Sequence, residues 1–359
     1  MMYILILIVL VVSIFIQNNI DKNMKDNKIY LNNLDILRYI CSILIIILHI
    51  RPFYLYNNLD FIFNNYITKI GVPIFFTITG YFLFKKEKDN QLYIKKYLKN
   101  ILVIYLIWSV IYLPFFIKYS TDYVGFDNGY LFIFDKSKIL YSILVGLLYN
   151  GLFYHLWYFP ALILSIIILY ILKKKINIKV ILFISFILLV IGSFESYCGL
   201  LPLSIRSILT NYLKIFYTTR NGLFFGLFYL TLGYYLGSKD ILQIESNFIL
   251  LLFFIFLLAL ESNFISYIYY TRLDILLTVP FIVYFMFTSF IYITNNKNTL
   301  KIRQLSKYYY LIHPLIIVFY RLITKGKFDN PIIIIPVIII GTHIISCLII
   351  KIKTMLKLA

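Results

Sequence analysis

The sequence predicts an all-α integral membrane protein, a bundle of about ten core transmembrane helices with an extra N-terminal helix before them. Three observations lead there. Of 359 residues, 62% are hydrophobic, well above the roughly 45–50% of an ordinary soluble domain. Mean hydropathy is +0.88. Apolar runs of about 17–25 residues recur along the chain with short polar stretches between them, the pattern expected when each run crosses about 30 Å of hydrocarbon.

In chain order the expected spans are Tyr3–Ile16, Leu34–Ile50, Tyr66–Phe84, Tyr97–Ile117, His155–Leu172, Ile178–Ser193, Gly222–Gly237, Asn247–Leu260, Asp274–Thr294, Ser306–Ile323 and Pro331–Ile350. The first lacks a basic n-region and a small-residue cleavage site, so it is expected to be retained. With a short cytoplasmic linker it makes up residues 1–33, and one membrane domain is expected to fill residues 34–359. The apolar stretch Lys138–Gly151 is short and ends in Asn150-Gly151, which suits an interfacial or re-entrant helix.

The formal net charge is +19, yet the basic residues form no nucleic-acid-like stripe. They gather at the ends of apolar runs, as in Lys85-Lys86-Glu87-Lys88 and Lys173-Lys174-Lys175, which reads as topology and headgroup contact. Taking alternate connections, one set carries 20 Lys and Arg and the other 10. The richer set is expected to be cytoplasmic, and with it the C-terminus, in a multi-pass plasma membrane protein. Cys41, Cys198 and Cys347 have neither metal-ligand spacing nor a disulfide framework, and no bound metal or cofactor is expected. The 34 tyrosines and 33 phenylalanines suit aromatic belts at the bilayer interfaces.

An ionisable side chain within a span costs about 2.5–3.5 kcal/mol on insertion scales and needs a partner, water or a function. His49, His155, His313 and His343 all fall in or beside apolar segments, with Arg38, Arg220 and Glu261 at or near span ends. Arg38 and His49 are eleven positions apart. Eleven residues are about three helical turns, so the two share a face to within about 20° and stand about 16 Å apart along the axis. Asp35, one turn before Arg38, is positioned to hold the guanidinium. Two readings follow: an interfacial Asp35–Arg38 salt bridge with a satisfied histidine at the helix end, or a working pair.

Taken together, several motifs resemble membrane-bound acyltransferase family 3, the O-acyltransferases of cell-surface sugars. Arg38 and His49 match its Arg-x10-His pattern at the start of a long apolar helix. Gly71-Val72-Pro73-Ile74-Phe75-Phe76-Thr77-Ile78-Thr79-Gly80-Tyr81 resembles its second-helix segment, His155-Leu156-Trp157-Tyr158-Phe159-Pro160-Ala161-Leu162 a middle one, and Tyr308-Tyr309-Tyr310-Leu311-Ile312-His313-Pro314 a late one. The likeness runs from Asn33 onward. In finer wording Leu48-His49-Ile50-Arg51-Pro52, the Tyr154–Leu162 segment and Thr219-Arg220-Asn221-Gly222-Leu223-Phe224-Phe225-Gly226 are similar to the membrane half of vancomycin-resistance-type serine/alanine racemases. Those proteins append a pyridoxal-phosphate racemase domain that these 359 residues lack, so no racemase activity is expected of them.

The resemblance implies a transferase that takes an acyl group, usually acetyl, from cytoplasmic acyl-CoA to a hydroxyl of an extracytoplasmic envelope glycan or a small amino or hydroxy acceptor. Arg38 would contact a donor phosphate or carbonyl. His49 would act as general base on the acceptor hydroxyl or carry the acyl group. For donor or acceptor binding the candidates are Asp35, His155, Trp157, Arg220, Asn221 and His313. Each has a plainer alternative: Arg220 as a snorkelling interfacial cation, His155 and Trp157 as an interface anchor, His313 as a structural hydrogen bond at the Pro314 kink. Lysines 85–96 draw CoA phosphates or simply set topology, and His343 and Glu261 read as structural. A different class remains beside this one, a non-enzymatic transporter or membrane partner, for example for serine uptake serving a separate envelope enzyme such as a racemase.

Overall fold

The computed structural model describes residues 31–53, 56–89, 92–121, 139–240, 245–268, 273–293, 298–325 and 330–355, and all regular structure among them is helical. The expected N-terminal span Tyr3–Ile16 lies outside them. The helices are α1 (Asn32–Ile50), α2 (Asn57–Ile62), α3 (Gly71–Asp89), α4 (Tyr93–Thr121), α5 (Ile139–Val145), α6 (Tyr158–Leu172) and α7 (Ile178–Ser193). They continue as α8 (Leu203–Phe216), α9 (Leu227–Ser238), α10 (Phe248–Ile268), α11 (Val279–Tyr292), α12 (Leu300–Thr324) and α13 (Pro331–Met355). Single π-turns precede α3 (Phe63–Ile67) and α9 (Gly222–Gly226) and follow α5 (Gly146–Asn150).

Five helical stretches are long and apolar enough to cross a membrane: Asn32–Ile50, Asn57–Lys88, Tyr93–Phe115, Phe248–Ile268 and Pro331–Ile352. Tyr158–Leu172, Ile178–Ser193, Gly222–Ser238 and Val279–Tyr292 are shorter apolar helices. On α4, Ile101, Tyr105 and Tyr112 are buried while Leu102, Val103, Leu106, Ile107, Val110 and Ile111 are exposed. Water does not tolerate so broad an apolar face, and hydrocarbon does. The chain is a helical membrane protein.

Two helices start later than their apolar runs. Rather than at His155, α6 begins at Tyr158, so that Pro160 occupies the first turn, where its missing N–H costs nothing. Likewise α11 begins at Val279 with Pro280 in its first turn. The residues before it are occupied elsewhere: Ile275 N donates to Ser196 Oγ at 3.0 Å and Leu277 N to Glu261 Oε1 at 2.6 Å.

The chain divides into two compact units. The described part of the first comes from Met1–Phe75, Asp240–Ala259 and Thr278–Ala359, and the second comprises Phe76–Lys239 and Leu260–Leu277. In the first, Ile46 and Ile50 of α1, Leu305, Tyr309 and Ile317 of α12, and Ile334 and Ile338 of α13 form one buried cluster. The second depends on backbones in contact. A Cβ added to Gly80 of α3 would lie 2.0 Å from the Leu230 carbonyl oxygen, and one added to Gly233 of α9 would lie 1.9 Å from that of Thr77. In a membrane, where burying apolar surface earns little, such close small-residue packing supplies much of the helix association.

Candidate functional site

The first unit carries Arg38 and His49 on α1, with His49 in the last turn. Its imidazole stacks on that of His313 from α12, with ring centroids 5.4 Å apart and planes 15° apart. His313 is fully buried. Its Nδ1 lies 2.8 Å from the Tyr309 carbonyl, which can only accept, so in the neutral ring Nδ1 carries the proton and Nε2 the lone pair. Pro314 follows inside the helix and cannot donate to the Tyr310 carbonyl, which loosens the backbone around the histidine. The Tyr309 side chain is clamped in turn: its hydroxyl accepts from Tyr39 at 3.0 Å and bonds to His343 Nδ1 at 2.8 Å.

The expected Asp35–Arg38 contact is not made. Asp35 is fully buried and gives its carboxylate to Arg303 instead, Oδ1 to Nε at 2.8 Å and Oδ2 to Nη2 at 2.9 Å, with Thr299 Oγ1 donating to Oδ2 at 2.8 Å. Arg303 arrives two-pronged from the first turn of α12 and matches the carboxylate fork, a geometry that a neighbour one turn away on the same helix cannot offer. Asp35 thus fastens α1 to α12. The Arg38 guanidinium is left with its buried Nε making no hydrogen bond among the described residues.

Four other candidates fall in the second unit. Trp157 and Arg220 meet there, the guanidinium carbon 4.3 Å from the centre of the indole, a cation–π contact. Arg220 Nη1 also lies 3.5 Å from Asp274 Oδ1. Asn221 next to it is spent on the fold: its Oδ1 accepts from Leu223 N at 2.8 Å and Phe224 N at 3.0 Å, and its Nδ2 donates to the Tyr149 and Tyr212 hydroxyls. His155 is 1% exposed, enclosed by the rings of Tyr112, Phe153 and Tyr154. Gly151 closes this corner with φ of +76° and no room for a Cβ, which would fall 2.4 Å from Trp157 N.

Sequence reasoning missed Asp274 and Arg303. Arg303 stands among Lys297, Lys301 and Lys307, where it reads as a topology signal. Tyr309 was hidden in a run of three tyrosines.

The model of the acyltransferase domain family matches residues 31–351, the stretch that holds all of these side chains. The chain belongs to the acyltransferase domain family. Among curated proteins, this family member is 30% identical over 231 residues to an amino-acid racemase of Enterococcus faecalis, covering 63% of this chain and 30% of that protein. Another amino-acid racemase of the same organism is 28% identical over 346 residues, covering 91% and 47%. A serine/alanine racemase of Enterococcus gallinarum is 27% identical over 291 residues, covering 78% and 40%. The chain therefore spans less than half the length of these relatives. No solved structure matches it.

Proposed function

We propose that the protein is a membrane acyltransferase that moves an acyl group, most simply acetyl, from cytoplasmic acyl-CoA to a hydroxyl of an extracytoplasmic cell-envelope glycan or related acceptor. The observation that carries this reading is the stacked His49–His313 pair on the same unit as an Arg38 whose carboxylate neighbour is engaged elsewhere. A permanent cation whose buried Nε makes no hydrogen bond among the described residues is suited to a phosphate or thioester carbonyl of the donor. Membership of the acyltransferase domain family supplies the reaction class.

In this mechanism His49 takes the proton of the acceptor hydroxyl, and the oxygen attacks the thioester carbonyl. The C–O bond forms, the C–S bond breaks, and the thiolate leaves with that proton to become the free thiol. His313, with Nδ1 tied to a carbonyl, holds the His49 ring in orientation and stabilises its protonated form. The alternative within the same chemistry has His49 carry the acyl group before the acceptor arrives. The bilayer supplies the setting, with plasma membrane location and a cytoplasmic C-terminus as part of the proposal.

The test is transfer from labelled acetyl-CoA in membranes. His49→Ala and Arg38→Ala should each abolish it while the protein stays inserted. The names of the relatives favour a second reading, in which this membrane domain handles an amino acid such as serine for a separate racemase. Purified protein that neither binds nor hydrolyses acyl-CoA, yet supports labelled serine uptake in vesicles, would establish the second reading and remove the first.

A further inference from the structure

Helix α13 carries a thiol and an imidazole one turn apart. Cys347 Sγ lies 3.5 Å from His343 Nε2, and the other ring nitrogen, Nδ1, lies 2.8 Å from the Tyr309 hydroxyl of α12. Tyr309 is itself held by the Tyr39 hydroxyl of α1 at 3.0 Å. With its proton on Nδ1, where the Tyr309 oxygen accepts it, His343 turns the Nε2 lone pair to the thiol. A nucleophile, a base within reach of its proton and a third group that fixes the base are the three parts of an activated nucleophile. Neither Cys347 nor His343 takes part in the transfer step at His49.

The helix face around the pair indicates what it meets. Ile333, Ile340, His343, Ile344, Cys347 and Lys351 fall on one stripe of α13 about 100° wide. Ile333, Ile340 and Ile344 are 43%, 57% and 53% exposed; His343 and Lys351 are exposed and Cys347 is partly so. The stretch Pro331–Ile352 is long and apolar enough to cross a membrane, so these isoleucines face acyl chains. Lys351 stands one turn past Cys347 at the end of that stretch, where an ammonium meets headgroup phosphates. Along the stripe come aliphatic surface, then the thiol with its base, then a cation. A long-chain acyl thioester of CoA has the same order: hydrocarbon tail, reactive carbonyl, phosphates. An acetyl thioester has no tail to lie along the isoleucines. We propose that Cys347 is a site of S-acylation by a long-chain acyl thioester, with His343 as its base. His343 Nε2 takes the Sγ proton and the thiolate attacks the thioester carbonyl. The new C–S bond forms, the old one breaks, and the departing thiolate takes the proton from His343. The site belongs to the first unit and does not depend on acyl transfer by His49.

The experiment incubates the full chain in detergent micelles with alkyne-tagged palmitoyl-CoA, and in parallel with labelled acetyl-CoA. Hydroxylamine-sensitive label is followed over time and assigned to a residue by mass spectrometry. Cys198, also partly exposed, serves as the reference thiol in the same molecule. Palmitoyl label is expected on Cys347 at least about tenfold faster than on Cys198, and faster than acetyl label on Cys347. In His343→Gln the Cys347 rate should fall at least about tenfold, the usual loss when a general base is removed being larger still. Equal labelling of Cys347 and Cys198, an equal rate from acetyl-CoA, or an unchanged rate in a folded His343→Gln would each overturn the proposal. The comparisons within the wild-type chain decide the matter even if His343→Gln does not fold.

Discussion

Asp35 and Arg303 show how unequal the two halves of a buried ion pair are. Asp35 is fully enclosed, whereas the Arg303 side chain is 45% exposed. Removing the arginine strands a carboxylate in a low-dielectric setting with only Thr299 to solvate it; removing the aspartate leaves a guanidinium that can turn outward. Arg303→Met is therefore expected to lower stability by about 3 kcal/mol and Asp35→Asn by about 1 kcal/mol. Thermal unfolding in detergent measures the difference, and equal losses would contradict the asymmetry. If Arg38 grips phosphate or thioester through a forked contact, Arg38→Lys should raise the KM for acetyl-CoA by roughly tenfold, with the protein still folded. Arg38 and His49 were legible in the sequence because a charge in a hydrophobic run is costly. Their partners were not, because a side chain's partner is set by which helices pack together, and Arg303 stands 268 positions from Asp35.

Among the helices, the pairing of α3 with α9 turns on two glycines that the chain needs for different reasons from a turn glycine. Neither has positive φ; both are needed because a carbonyl of the other helix sits where Cβ would be. Gly80→Ala or Gly233→Ala should push the backbones apart and cut the yield of folded protein severely. Gly71→Ala, where the nearest atom would be 3.4 Å from the new Cβ, should be tolerated and gain up to about 1 kcal/mol from helix propensity. Size-exclusion profiles and unfolding temperatures of the three variants test this. A helix lies in each of the ten apolar stretches expected from Leu34 onward, and α7 runs over the expected Ile178–Ser193. Proline in the first turn shortened α6 and α11, and the freed residues before them, among them Trp157 and Asp274, became contact makers.

For the molecule as a whole, the excess of Lys and Arg in one set of connections makes orientation a prediction in its own right. A fluorescent protein fused after Ala359 should fold and emit, and alkaline phosphatase at the same place should be inactive; the reverse pattern would invert the proposed donor and acceptor sides. Hydropathy and periodicity, summed over windows of some twenty residues, determined that the chain is helical and lives in lipid, and four local motifs in order carried its family. Those are properties of neighbours along the chain. The stacking of His49 on His313, the capture of Asp35 by Arg303 and the meeting of Arg220 with Asp274 were decided only by tertiary structure. The reason is physical: in a low-dielectric interior each charge must find its complement within a few ångströms, and which residues come that close depends on how the helices pack and not on their spacing in the sequence.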